Sequence, residues 1–113
     1  MYKEITLKLT NGEEQPFKFL ASSSTAYRYK EVFQEDLMTK LTKLEQERDL
    51  TIGDKLAYIM NAQAEGKSMK TLNYDLFLDW LDQLESSELI VHMEEIINLY
   101  LGSRLTSSMP KKE

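Results

Sequence analysis

Apolar and polar residues alternate at the start of the chain. Ile5, Leu7 and Leu9 fall between Glu4, Thr6, Lys8 and Thr10, the two-residue period of a half-buried strand. Asn11-Gly12 follows, a turn signal because both residues tolerate positive φ. Phe17 and Phe19 then alternate around Lys18. Pro16 cannot donate to a ladder, so it belongs at the start or on the edge of this second strand. Residues 2–21 thus predict a β-hairpin, with a loop from Asn11 to Gln15 that is longer than the tightest hairpins. Two strands alone are marginal, so the hairpin needs helices or another sheet against it. Its edges, carrying Ile5, Leu7, Phe17 and Phe19, are candidate rails for a neighbouring copy.

Beyond Ala21 the apolar spacing changes to three and four residues. The run Ser22-Ser23-Ser24-Thr25 offers hydroxyls that can cap a helix, and Ala26, Tyr29 and Phe33 then share one side. Gln34-Glu35-Asp36 can interrupt this helix, with Asp36 capping a segment that sets Leu37, Leu41 and Leu44 opposite Lys40, Lys43 and Glu47. One long helix and two short ones both fit residues 24–49. Asp49 to Gly53 reads as a connection. Asp54 then caps a short helix carrying Leu56, Ile59, Met60 and Gln63, stopped near Gly66. Asn73 caps Tyr74 to Leu84, and Ser86 or Ser87 caps Glu88 to Leu101, which Gly102 can end. Residues 103–113 are polar and read as a flexible tail. The expected fold class is α+β, mostly α: an N-terminal β-hairpin (2–21) and four to five helices (24–102) in a small bundle, one domain over residues 1–102.

Thr71 to Tyr100 has the most distinctive pattern. These thirty residues hold seven carboxylates (Asp75, Asp79, Asp82, Glu85, Glu88, Glu94 and Glu95), no lysine or arginine, and the only tryptophan. On a helical wheel Asp75, Asp79, Asp82 and Gln83 gather in an arc of about 100°. Leu76, Phe77, Leu78, Trp80, Leu81 and Leu84 occupy nearly all the rest, roughly the reverse of an ordinary surface helix. Such a helix is central in its domain, or half-covered by a partner, or both. Candidate protein-binding residues are Leu76, Phe77, Asp79 and Trp80 here, with Val91, Glu95 and Leu99 on the following helix. Val91 and Leu99 stray from that helix's main apolar face.

At 113 residues the chain is one domain by size, with ordinary apolar and charged fractions of 42% and 29%. The absence of cysteine excludes disulfides and thiolate metal sites and suits the cytoplasm of a host cell. A net charge of −5 repels phosphate backbones, so nucleic acid is not an expected partner. No apolar run approaches a membrane span, and Met1-Tyr2-Lys3-Glu4 lacks the layout of a signal peptide. His92 is the only histidine, without a histidine or cysteine to share a metal. The carboxylates at 75, 79, 82 and 85 lie in a helical row rather than in a cation-binding loop. There is no Gly-x-Ser-x-Gly turn, phosphate loop or dinucleotide fingerprint. No enzyme, cofactor or metal is expected, and a binding or assembly role leads.

The order of these features resembles the small tail assembly chaperones of long-tailed phages and prophages of Gram-positive bacteria. The resemblance spans most of the chain. It lies in the hairpin with Asn11-Gly12, in Ser24-Thr25-Ala26-Tyr27-Arg28-Tyr29-Lys30-Glu31-Val32-Phe33 with Asp36-Leu37, in Leu56-Ala57-Tyr58-Ile59-Met60, and in Asp75-Leu76-Phe77-Leu78-Asp79-Trp80-Leu81. The helix break, often glycine in relatives, is Gln34 here. The resemblance implies a protein that coats the tape measure protein, keeps its apolar helices soluble, and is displaced when tail tube subunits polymerise. It also implies self-association, and in some relatives a longer frameshifted product, for which the codons of Lys111-Lys112 are the place to look. A second expectation is a small acidic phage-encoded inhibitor, either a DNA mimic or a protein-binding adaptor. The carboxylates of residues 71–100 fit it, and the eight basic residues of 21–70 do not.

Overall fold

The computed structural model describes residues 1–108. Strands β1 (Tyr2–Lys8) and β2 (Glu14–Leu20) pair antiparallel, with Ile5 opposite Phe17 and Thr6 opposite Pro16. Gly12 takes a φ of 90° in the connecting loop, and Asn11 Oδ1 accepts the Glu13 N–H at 2.9 Å. Alternation sends Ile5, Leu7, Phe17 and Phe19 to one face, where all four are buried. A two-stranded sheet holds only if one face is packed, and these side chains supply that face, so a neighbour at the hairpin would meet its outer backbone edge and not these side chains.

Pro16 is accommodated by register. The Lys8 N–H and C=O both bond away from β2, to Glu88 Oε1 at 2.7 Å and to the Glu85 N–H at 2.9 Å. Alternation then turns the backbone groups of Thr6 and of its partner Pro16 outward as well. The N–H that Pro16 lacks would have faced the outer edge of β2, so no ladder bond is lost.

Helices α1 (Thr25–Phe33) and α2 (Leu37–Glu47) are separate. Gln34 ends α1 in the left-handed region at φ 55°, its N–H returning to Lys30 O. Asp36 starts α2, its Oδ2 accepting the Thr39 N–H at 2.9 Å and hydroxyl at 2.6 Å. Arg48, at φ 58°, ends α2 in the same manner.

The central element is α3 (Thr51–Ala64). It begins earlier than the sequence pattern predicts. Asp49 takes the capping role through the Thr51 N–H (3.2 Å) and hydroxyl (2.6 Å), which leaves Asp54 within the first turn. Ile52, Gly53 and every residue from Leu56 to Gln63 are buried. The hairpin, α1 and α6 pack around this helix. At Gly53 the absence of a side chain lets Met93 of α6 lie on the helix backbone.

Helix α4 (Tyr74–Asp82) starts at Asn73, whose Oδ1 accepts the Leu76 N–H at 2.8 Å. The remaining helix divides at His92 into the single turn α5 (Glu88–Val91) and the long α6 (Met93–Ser108). The His92 carbonyl accepts the Ile96 N–H and opens α6, while its Nδ1 meets Glu95 Oε1 at 2.7 Å. Helix α6 runs through Gly102, so residues 103–108, read above as tail, are helical; the rest of that segment lies outside the described residues. The architecture is α+β and mostly helical, a hairpin followed by five helices and the single turn α5. No helix among the described residues is long and apolar enough to cross a membrane.

Candidate protein-binding surface

An aromatic chain fixes α4 to the body of the protein. Phe77 is 3% exposed and packs on Phe33 (ring centroids 5.2 Å apart) and Tyr58 (5.5 Å). Trp80 meets Tyr58 at 5.4 Å and stands edge-on to Phe17 at 6.1 Å. The Trp80 indole N–H donates to Asn61 Oδ1 at 3.1 Å, and Asn61 Nδ2 donates to the outward carbonyl of Lys18 at 2.8 Å. Asn61 thus ties α4, α3 and β2 together. Phe77 is a core residue and not the exposed anchor that the sequence pattern offered. Trp80 is half-buried and borders an open depression of about 400 Å³ with Leu72, Leu76, Asp79 and Gln83.

With Phe77 and Leu84 marking the buried side, the rest of α4 is a preformed ridge. Asp75, Asp79 and Asp82 run along its crest, with Tyr74 and Leu78 on one shoulder and Leu76 on the other, all exposed. The turn α5 adds Ile90, 53% exposed, and Val91, 69% exposed. Leu99, by contrast, is 7% exposed. It stands beside the start of β1, where Met1, Tyr2 and Lys3 approach α6, so it belongs to the core and not to the surface. Glu95 is half-exposed and committed: Lys3 Nζ lies at 2.7 Å, and with His92 it holds the carboxyl below the ordinary glutamate range.

The hairpin edges are occupied in part. The Thr10 N–H bonds Gln83 O at 3.0 Å, Lys8 is bonded to Glu85 and Glu88, and on β2 Pro16 has no N–H to offer and the Lys18 carbonyl is taken by Asn61. The outward backbone groups of β1 from Tyr2 to Thr6 are the longest open part of β1.

A cleft of about 390 Å³ lies where α3 begins, beside the α4–α5 connection. Leu50, Leu81, Leu84, Leu89 and Ile90 form its apolar walls, and Arg48, Asp49, Asp54 and Glu85 its polar ones. The Asp49 carboxylate is used by Thr51, which holds it below the ordinary aspartate range. Asp54 is half-buried, and burial alone pushes its carboxyl up. Its neighbour Lys55 turns away, to Glu35 at 3.1 Å and over the Phe33 ring at 5.3 Å. Burial pushes Glu35 up, but hydrogen bonds from Tyr29 and Lys55 outweigh it and leave Glu35 below its ordinary value. The sequence pattern missed this cleft because it reads Asp54 as a cap. The signal was Asp49, placed to serve as the cap itself. Among the described residues no three of His, Asp or Glu converge to hold a metal ion. Comparisons with protein-family models, with curated proteins and with solved structures gave no match.

Proposed function

We propose that the protein is a tail assembly chaperone that holds the apolar helices of a phage tape measure protein until tail tube subunits displace it. The observation that carries this reading is the α4–α5 surface. Tyr74, Leu76, Leu78, Ile90 and Val91 are exposed there among carboxylates, in a stretch without lysine or arginine. Exposed apolar side chains supply a docking face for an amphipathic client helix. The acidic crest favours basic clients and speeds encounter. Because the aromatic chain anchors α4, the ridge needs no ordering when a client arrives. Many modest contacts along a long client suit a chaperone that is later displaced. The DNA-mimic reading is weaker, since exposed leucines and a tyrosine flank a short crest of carboxylates, where a mimic needs a long phosphate-like face.

Co-expression with the tape measure protein tests the reading. The expected outcome is a soluble complex with the native chain, reduced about tenfold or more in yield by Leu78→Ser combined with Ile90→Ser. Both positions are exposed, so the double variant should remain folded. A client that stays insoluble with the native chain, or equal yields from both chains, contradicts it.

A further inference from the structure

We propose that the cleft between the start of α3 and the α4–α5 connection receives a lysine or arginine, presented beside an apolar residue on a partner helix, with Asp54 as its counter-ion. The nature of the partner rests on the reading above; the site rests on its own geometry.

Asp54 lies in the first turn of α3, yet it caps nothing, because Asp49 already holds the Thr51 N–H. Its carboxylate has no hydrogen-bond or ion-pair partner among the described residues, although the side chain is half-buried. A carboxylate drawn out of water without a cation is costly. The neighbouring charges do not relieve it. Lys55 is committed to Glu35, and no salt bridge joins Asp54 to Arg48, the single cation in the lining. Three carboxylates face that one cation, so the cleft is net negative. Its walls are leucine and isoleucine, and its volume accommodates one long side chain. A lysine or arginine fits these conditions, with its aliphatic stem on Leu81 and Leu89 and its charged end at Asp54. The apolar lip continues the exposed strip formed by Ile90 and Val91. A neighbouring apolar residue of the same helix can lie on that strip, which is why the occupant is a helix and not a free amine.

The test uses a labelled amphipathic peptide of leucine and lysine, about 20 residues long so that it is helical, and its counterpart with glutamine for lysine. Binding is measured to the native chain, to Asp54→Asn and to Glu65→Gln. Glu65 is an exposed carboxylate just past the far end of α3, outside the α4–α5 surface, so its variant reports general surface charge. Asparagine keeps the shape of Asp54, and because burial raises the folded pKa, the ionised carboxylate opposes folding at neutral pH; Asp54→Asn therefore folds at least as well. Asp54→Asn is expected to weaken the lysine peptide about tenfold, and Glu65→Gln by less than about twofold. The glutamine peptide is expected to bind all three chains alike. If the lysine peptide binds and Asp54→Asn loses no more than Glu65→Gln, or loses as much with the glutamine peptide, the cleft assignment falls while client binding stands. If neither peptide binds the native chain, both readings fall.

Discussion

Asn61 shows how one polar residue can decide where an amphipathic helix sits. Its amide spans the Trp80 indole and the Lys18 carbonyl, and it is buried in the middle of α3. Replacement by alanine leaves both groups without their protein partner and opens a small gap. Asn61→Ala should cost about 2–3 kcal/mol in denaturant unfolding, with a red shift of Trp80 emission. An unchanged midpoint and emission would mean that Trp80 is held by ring packing alone. Nothing in the sequence marks this role. An asparagine in a helix reads as a solvent-facing residue, and its partner on β2 is 43 positions away. Gln63 is similar: its amide takes the Thr25 hydroxyl and donates to Ser22 Oγ, both at 2.8 Å, although its spacing fits an apolar face. Ile5, Leu7, Phe17 and Phe19 were legible as one face that needs a cover, but not that α3 supplies it.

At the scale of elements, local chemistry was readable where a cap or turn decides the outcome. Asn11-Gly12, Asp36 and Asn73 each act as the sequence pattern predicts. The break between α1 and α2 required a non-glycine residue in the left-handed region, and Gln34 accepts that conformation. An L-residue there costs about 1–2 kcal/mol, of which glycine recovers part after its own loss of chain entropy. Gln34→Gly should therefore stabilise the protein by about 0.5–1 kcal/mol in thermal or denaturant melts. A loss of stability would show that the bond from Gln34 Nε2 to Glu31 O (2.7 Å) matters more than backbone strain. The rank of the helices was not legible. By side-chain size α4 looks central, yet α3 is the helix surrounded on all sides. Its small residues Gly53, Ala57 and Ala62 permit close approach, whereas α4 carries more large apolar side chains than one contact face can cover. The excess on α4 is the exposed surface itself.

For the whole molecule, the sequence established an α+β fold and a segment with one sign of charge, and the structure adds where that segment meets the rest. The end of α4, the apolar turn α5 and the start of α3, which lies far from them in sequence, border one cleft. Only the tertiary fold brings Asp54 to Leu81 and Ile90, so no periodicity could have revealed it. The central claim is that this continuous surface receives a client helix. Its most direct test is a titration of isotope-labelled protein with a helical tape measure fragment, followed by backbone amide shifts. The largest shifts are expected in Leu50 to Asp54, Tyr74 to Asp82 and Ser86 to Val91. Shifts gathered instead on Tyr2 to Thr6 of β1, or around Met38, Leu41 and Leu101 between α2 and α6, would contradict it.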